Sequence, residues 1–190
     1  IPVGTRRINM NQLDEALTKP DAGVGGPGVH GLVVYNSNPA TVAPNSVAVR
    51  SGLAREDLFT VVIEQFMTDT AHYADWVLPA TTQLEHHDLH AAYGHHFASL
   101  NTPAIAPVGE SLPNSEIFRR LARAMDFDDP EFGQSDVELI ELALAGADGH
   151  LSWEVLSKVG YERVQPAGQR HYTTGRLATP SGKIECVADT

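Results

Sequence analysis

Apolar and polar positions along the chain alternate between long β-branched runs and helical spacings. Val29-His30-Gly31-Leu32-Val33-Val34-Tyr35 is one apolar run, and Leu58-Phe59-Thr60-Val61-Val62-Ile63 is a second. Continuous runs of this length suit strands buried on both faces. A third, shorter run, Asp75-Trp76-Val77-Leu78-Pro79, closes on proline. Residues 45–53 read as a short helix with Gly52 near its end, and 55–57 as a charged break. Between the second and third runs, Thr68 stands where a helix N-cap belongs, ahead of Asp69, whose charge suits a helix N-terminus. Strand, helix, strand, helix, strand predicts two right-handed crossovers. The fold class expected is α/β: an open, mostly parallel, Rossmann-like sheet with helices on both faces.

The pattern outside this stretch is mainly helical. A short helix over 11–17 ends at Pro20. Pro103, Pro107 and Pro113 punctuate an extended stretch. Asn114 then caps an amphipathic helix, with Ile117, Phe118, Leu121 and Met125 on one face and Arg119, Arg120 and Arg123 largely on the other. Further helices are expected over 136–145 and 152–159, and loops with short strands over 160–190. The chain thus reads as a single α/β domain over 1–190. It has a lead-in (1–28), a core of sheet and helices (29–127), and a helical and irregular C-terminal part (128–190).

Composition narrows the function classes. Hydrophobic residues make up 42% and charged residues 19% of 190, a globular balance. Thirteen basic against 24 acidic residues give a net charge of −11, which argues against a nucleic-acid partner. The lone cysteine, Cys186, cannot form an internal disulfide, a four-cysteine zinc site or an iron–sulfur site. Beside Ile184 and Val187 it reads as a small buried hydrophobe. No apolar run approaches the ~20 residues of a membrane helix, so no membrane contact is expected from this segment. An opening at Ile1, on irregular sequence, reads as a piece of a longer protein. The compartment, prokaryotic cytoplasm or periplasm, stays open.

Several motifs are set aside. Residues 23–28, GVGGPG, match G-x-G-x-x-G formally, but a dinucleotide fingerprint follows a strand, and this one precedes it. His86, His90, His95 and His96 cluster with Glu85 and Asp88, yet H-E-x-x-H is absent, and the segment reads as a solvent- or ligand-facing loop. There is no G-x-S-x-G and no P-loop. No catalytic residue and no metal ligand is assigned. Three strand-end loops remain, at 36–39, 64–68 and 79–86. In open α/β sheets ligands bind outside the carboxyl ends of strands. Asn36, Asn38, Glu64 and the helix start at Thr68 offer amides, a carboxylate and N–H groups that suit a nucleotide.

These loops also carry a family resemblance. The stretches Tyr35-Asn36-Ser37-Asn38-Pro39, Val61-Val62-Ile63-Glu64-Gln65-Phe66-Met67-Thr68-Asp69-Thr70-Ala71 and Ala74-Asp75-Trp76-Val77-Leu78-Pro79-Ala80-Thr81 resemble the third domain of molybdopterin oxidoreductases of the dimethyl sulfoxide reductase family. Leu84-Glu85, Ala106-Pro107-Val108-Gly109-Glu110, Asn114-Ser115-Glu116-Ile117-Phe118 and Thr179-Pro180-Ser181-Gly182-Lys183-Ile184-Glu185 continue the resemblance in order. It implies that the chain helps hold one of two molybdopterin guanine dinucleotides, with molybdenum or tungsten, in a larger enzyme. Asn38, the pair Ile63-Glu64, His86 and Asn114 match cofactor-contacting positions. Glu64 stands where the family often has Asp, and His86 where it often has Lys. Expected partners are other domains of the same polypeptide and electron-transfer subunits. An iron–sulfur cluster would lie in an N-terminal domain outside this chain. No redox activity is expected of the chain alone. Two other readings stay open: a non-catalytic homologous subunit of an electron-transfer complex, and a stand-alone nucleotide-binding module.

Overall fold

The computed structural model describes residues 5–19, 24–145, 150–164, 177 and 179–186. They form two compact units, one of residues 1–87 and 102–136, the other of 88–101 and 137–190. The sequence reading placed 88–101 in the core; here that stretch clusters with the C-terminal residues.

The first unit is built on a parallel sheet of β1 (Gly31–Tyr35), β2 (Phe59–Glu64) and β3 (Trp76–Pro79), in that order. Val33 pairs with Val61 and Val61 with Trp76, which puts alternate residues of all three strands in rows on each face. One face carries Leu32, Val34, Thr60, Val62 and Val77. At Leu32 it is covered by α1 (Leu13–Thr18), α2 (Pro39–Val42) and α3 (Ser46–Leu53), through Leu17, Ala40, Val49 and Leu53, and at Val34, Val62 and Val77 by Ala71 and Ala74 of the link from β2 to β3. Contact between α1 and α3 is close: a Cβ on Gly52 would collide with the Leu17 side chain. The link from β2 to β3 is shorter than the expected helix. It contains a single 3-10 turn, Ala71–Tyr73, because the Asp75 carboxylate accepts the Thr60 N–H at 2.7 Å and draws the chain straight back to the sheet.

The opposite face is covered at one end only. Ile63 and Ala80 pack with Ile117 of α4 (Asn114–Ala124), and Leu78 and Leu112 lie against them. Phe118 meets Tyr35 edge-on at 5.2 Å between ring centroids. Two expectations about α4 change. Its N-cap is Pro113, and Asn114 is its first helical residue, because proline's fixed φ serves the entry and frees the Asn114 side chain. Of the predicted apolar face only Ile117 is buried; Phe118, Leu121 and Met125 stay exposed, since one stripe of a helix meets a three-stranded sheet. On the polar side Glu116 accepts from Arg119, Arg120 and Arg123. The Arg120 and Arg119 guanidinium groups lead in holding its carboxyl down to about 2. Arg119 also reaches Asp136 at 2.7 Å.

At residues 84–108 the chain leaves this unit and returns. The Leu84 carbonyl accepts from the N–H groups of Ala104 (2.8 Å) and Ile105 (3.1 Å). Glu85, only 7% exposed, accepts at one oxygen from the Thr82 N–H and hydroxyl, and at the other from the Val108 N–H.

The second unit is an antiparallel sheet absent from the sequence reading: β4 (Asp88–Ala91), β5 (Phe97–Asn101) and β6 (Tyr161–Arg163). Ala98 packs with Ile140 and Leu144 of α5 (Asp136–Leu144), with Leu151, and with Leu156 of α6 (Trp153–Val159). Only Leu89, Ala98 and Leu100 point inward from the hairpin, so its alternation is short and the histidines mask it. The helices predicted at 136–145 and 152–159 are present, the second capped by the Ser152 hydroxyl. Residues 165–176, within the stretch predicted as loops and short strands, lie outside the described residues, as does Gly23 of the glycine-rich stretch. Cys186 is exposed, contrary to expectation; its neighbour Ile184 is exposed too, so this stretch offers no core to enter.

Candidate functional site

The parallel register aligns the ends of β1, β2 and β3, so the loops that follow them emerge together. Hydrogen bonds then stitch each loop to the next. The Asn36 N–H donates to the Ile63 carbonyl (3.2 Å), and the Ala80 N–H to the Glu64 carbonyl (3.1 Å). The Gln65 carboxamide donates to the Thr81 carbonyl at 3.2 Å. Asn36 takes the left-handed backbone conformation, φ 48°, which asparagine tolerates better than most residues. This turns its side chain to accept from the Asn114 amide at 3.4 Å. Asn36 and Asn114 therefore belong to one cluster at the sheet's carboxyl edge, where Glu64 ends the neighbouring strand.

One buried polar atom in this cluster has no protein partner, and a half-buried carboxylate lies on the same edge. Asn114 Oδ1 is buried without a hydrogen bond. Glu64 Oε1 accepts from the Gln65 N–H at 2.7 Å, and its second oxygen accepts nothing among the described residues. A buried acceptor without a donor is costly, on the order of 1–3 kcal/mol, and calls for an explanation.

The other sequence-predicted residues are held differently. Asn38 is engaged with the protein: its carbonyl oxygen accepts from the Thr70 hydroxyl (2.7 Å) and N–H (3.2 Å), and its amide donates to Thr41. It ties the first loop to the second. Ile63 has its side chain fully in the core, so only its backbone reaches the edge. The Thr68 hydroxyl accepts the Ala71 N–H at 3.2 Å, but the N-cap of the 3-10 turn is Thr70, not Thr68 as expected, because the turn starts later than the expected helix. His86 Nδ1 lies 2.8 Å from the Thr81 hydroxyl, which turns the ring toward the third loop.

Three residues outside the expected set of cofactor-contacting residues matter to this edge. Thr70 and Thr81 are both completely buried, and each fastens a loop. Gln65 bridges the second and third loops. A threonine in an apolar stretch is an ordinary strand residue, so only the fold distinguishes these two. Among the described residues no three His, Cys, Asp or Glu side chains converge to hold a metal ion, and no helix is long and apolar enough to cross a membrane.

Comparisons with known proteins bear on the family and the fold. The family model "Molybdopterin oxidoreductase" matches residues 5–124. "Probable oxidoreductase YoaE" of Bacillus subtilis (strain 168) is 44% identical over 188 residues, 97% of this chain and 27% of that protein. The respiratory nitrate reductase subunit alpha of Haloferax mediterranei is 37% identical over 92 residues, 48% of this chain and 9% of that protein. The solved structure of acetylene hydratase from Pelobacter acetylenicus superposes with a TM-score of 0.72 at 26% identity, covering 93% of this chain and 23% of that one. The chain thus spans about a quarter of the length of relatives that match nearly all of it. A family model over more than half of the chain, on an α/β fold shared with a solved relative, makes this chain a member of the molybdopterin oxidoreductase family.

Proposed function

We propose that this chain is the part of a molybdopterin-dependent oxidoreductase that grips the nucleotide end of one molybdopterin guanine dinucleotide. The observation that carries the reading is the buried, unmet acceptor Asn114 Oδ1, on the edge where the three loops meet and Glu64 ends β2. Guanine presents N–H donors and ribose presents hydroxyls, so the residues present fit a guanine nucleotide. Glu64 binds the nucleoside end. Asn114 and Asn36 position it, while Asn38 and Thr68 hold the loops in shape. His86 sits at the third loop with its Nδ1 against the Thr81 hydroxyl. When bound, the cofactor's molybdenum or tungsten supplies the two-electron chemistry; the residues of this chain bind and orient it. The rest of the pterin site, any iron–sulfur cluster and contacts with electron-transfer subunits belong to other domains of the longer polypeptide.

Titration calorimetry with GDP tests the reading. Millimolar or tighter binding is expected, weakened at least tenfold by Glu64→Ala, on the scale of the ~1.5–3 kcal/mol of a hydrogen bond to a charged group. Binding indifferent to Glu64→Ala overturns the assigned residue. The chain expressed with molybdate should contain no tightly held molybdenum, and stoichiometric metal with turnover would refute the division of labour.

A further inference from the structure

The antiparallel sheet of the second unit has one face in its core and one in water. Leu89, Ala98 and Leu100 turn toward the core. Residues directly opposite each other in a sheet share a face, so the register fixes the outer rows. Phe97 stands beside Arg163, then His90, Ser99 and Tyr161 form a row, then Asp88 and Asn101. Ser99 is the small side chain in the middle, and rings stand round it. Phe97 meets Tyr161 at 5.8 Å between centroids, with the planes at 72°. His95, in the hairpin loop, meets Phe97 at 5.9 Å and 66°. These three rings and Ser99 line an open cavity of about 320 Å³. Tyr161 is 63% exposed, so the cavity opens to water.

We propose that this cavity binds a small aromatic anion, with its ring over Ser99, between Phe97 and Tyr161, and its charged group toward Arg163. Aromatic rings favour edge-to-face or offset packing at centroid separations of about 4.5–7 Å. The three rings already hold one another in that geometry, so the slot is formed before a ligand enters. Its volume lies at the lower end of the roughly 300–1,000 Å³ of small-molecule pockets, which limits the ligand to one ring system and a short charged substituent. Arg163 supplies the argument for charge. Its Nε is buried without a hydrogen-bond partner, and its guanidinium makes no ion pair among the described residues. A guanidinium stays charged and offers a planar fork to a carboxylate or phosphate. The neighbouring Glu162 carboxylate accepts the Arg163 backbone N–H at 2.7 Å. The only carboxylate in the outer rows, Asp88, lies in the last of them, 3.6 Å from His90 Nε2. A chain of net charge −11 thus keeps an unpaired cation beside an aromatic cavity. The histidine-rich stretch, read from sequence as a solvent- or ligand-facing loop, supplies His95 to one wall and His90 to the row of Ser99. This site lies in the second unit and does not rest on the nucleotide reading.

The test is a titration of benzoate into the isotope-labelled chain of 190 residues, followed at its backbone amides by nuclear magnetic resonance. The amides of Ser99, Tyr161 and Arg163 should shift together and saturate in the millimolar range. Benzamide has the ring without the charge, and should bind about tenfold more weakly, the scale of one charge-assisted hydrogen bond. Arg163→Gln should reduce benzoate affinity to that of benzamide and leave benzamide unaffected. Tyr161→Ser should weaken both several-fold. In both variants the Leu89 and Ala98 amides should keep their wild-type positions, as they do when the sheet is intact. Absence of a saturable shift at the three amides overturns the proposal. Equal affinity of the wild-type chain for benzoate and benzamide also overturns it, and that comparison stands even where a variant misfolds. Shifts at Ser99 that grow with chain concentration in the absence of benzoate identify a second copy as the occupant, and overturn it too.

Discussion

Two carboxylates in the first unit look alike in the sequence and act differently in the fold. Glu85 is enclosed and faces only neutral donors; the Thr82 hydroxyl and N–H, then the Val108 N–H, hold its carboxyl below the usual 4.5. Glu85→Gln keeps the shape but turns an NH₂ group toward donors on one side, so thermal unfolding monitored by circular dichroism should show a lower Tm. Glu116 faces three guanidinium groups that are partly in water. Its folded value of about 2 lies below its ordinary 4.5, so its stabilisation is present above pH 4.5 and is lost as pH falls toward 2. Screening of the exposed partners reduces that stabilisation to about 1 kcal/mol. Urea titrations of wild type and Glu116→Gln should therefore differ at pH 7 and converge near pH 2. Legibility differs in the same way. Glu64, Asn36 and Asn114 announce themselves as polar residues at strand or helix ends. Thr70 and Thr81 do not, because a hydroxyl gains its role only when the fold buries it beside a partner.

At the scale of elements, the strands predicted at 29–35, 58–63 and 75–79 fall within a residue or two of β1, β2 and β3. Their apolar runs are long enough to be read without context. The antiparallel sheet was not legible: β6 joins β5 from about sixty residues away, and β4 shows one inward leucine between Asp88 and His90. Helix packing adds a constraint that helical spacing does not reveal. Gly52 lets α3 lie directly on Leu17 of α1, so the residue answers to close approach and not to helix propensity. Alanine favours helices by ~1 kcal/mol over glycine. Overpacking costs ~1–3 kcal/mol, and here it wins. Gly52→Ala should lower stability by about 1–2 kcal/mol in chemical denaturation, net of the propensity gain. A gain in stability would mean that α1 shifts aside.

For the molecule as a whole, the two units have separate cores, one around the parallel sheet and one around Ala98, Ile140 and Leu156. A chain ending at residue 136 loses α6, β6 and nearly all of α5. Hydrogen exchange should then show the 88–101 hairpin unprotected, since a lone hairpin is marginal in water. The amides of β2 should keep their protection, and loss of protection in both would mean that the cores fold as one. The closure at residues 84–108 gives the division a further meaning. Because Leu84 and Glu85 fasten the outgoing chain to the returning one at Ala104, Ile105 and Val108, the parallel sheet does not depend on how long the excursion between them is. That makes the joint a natural splice point, where sequence can be lengthened or exchanged, by evolution or by hand, while the carboxyl edge of the parallel sheet keeps its shape.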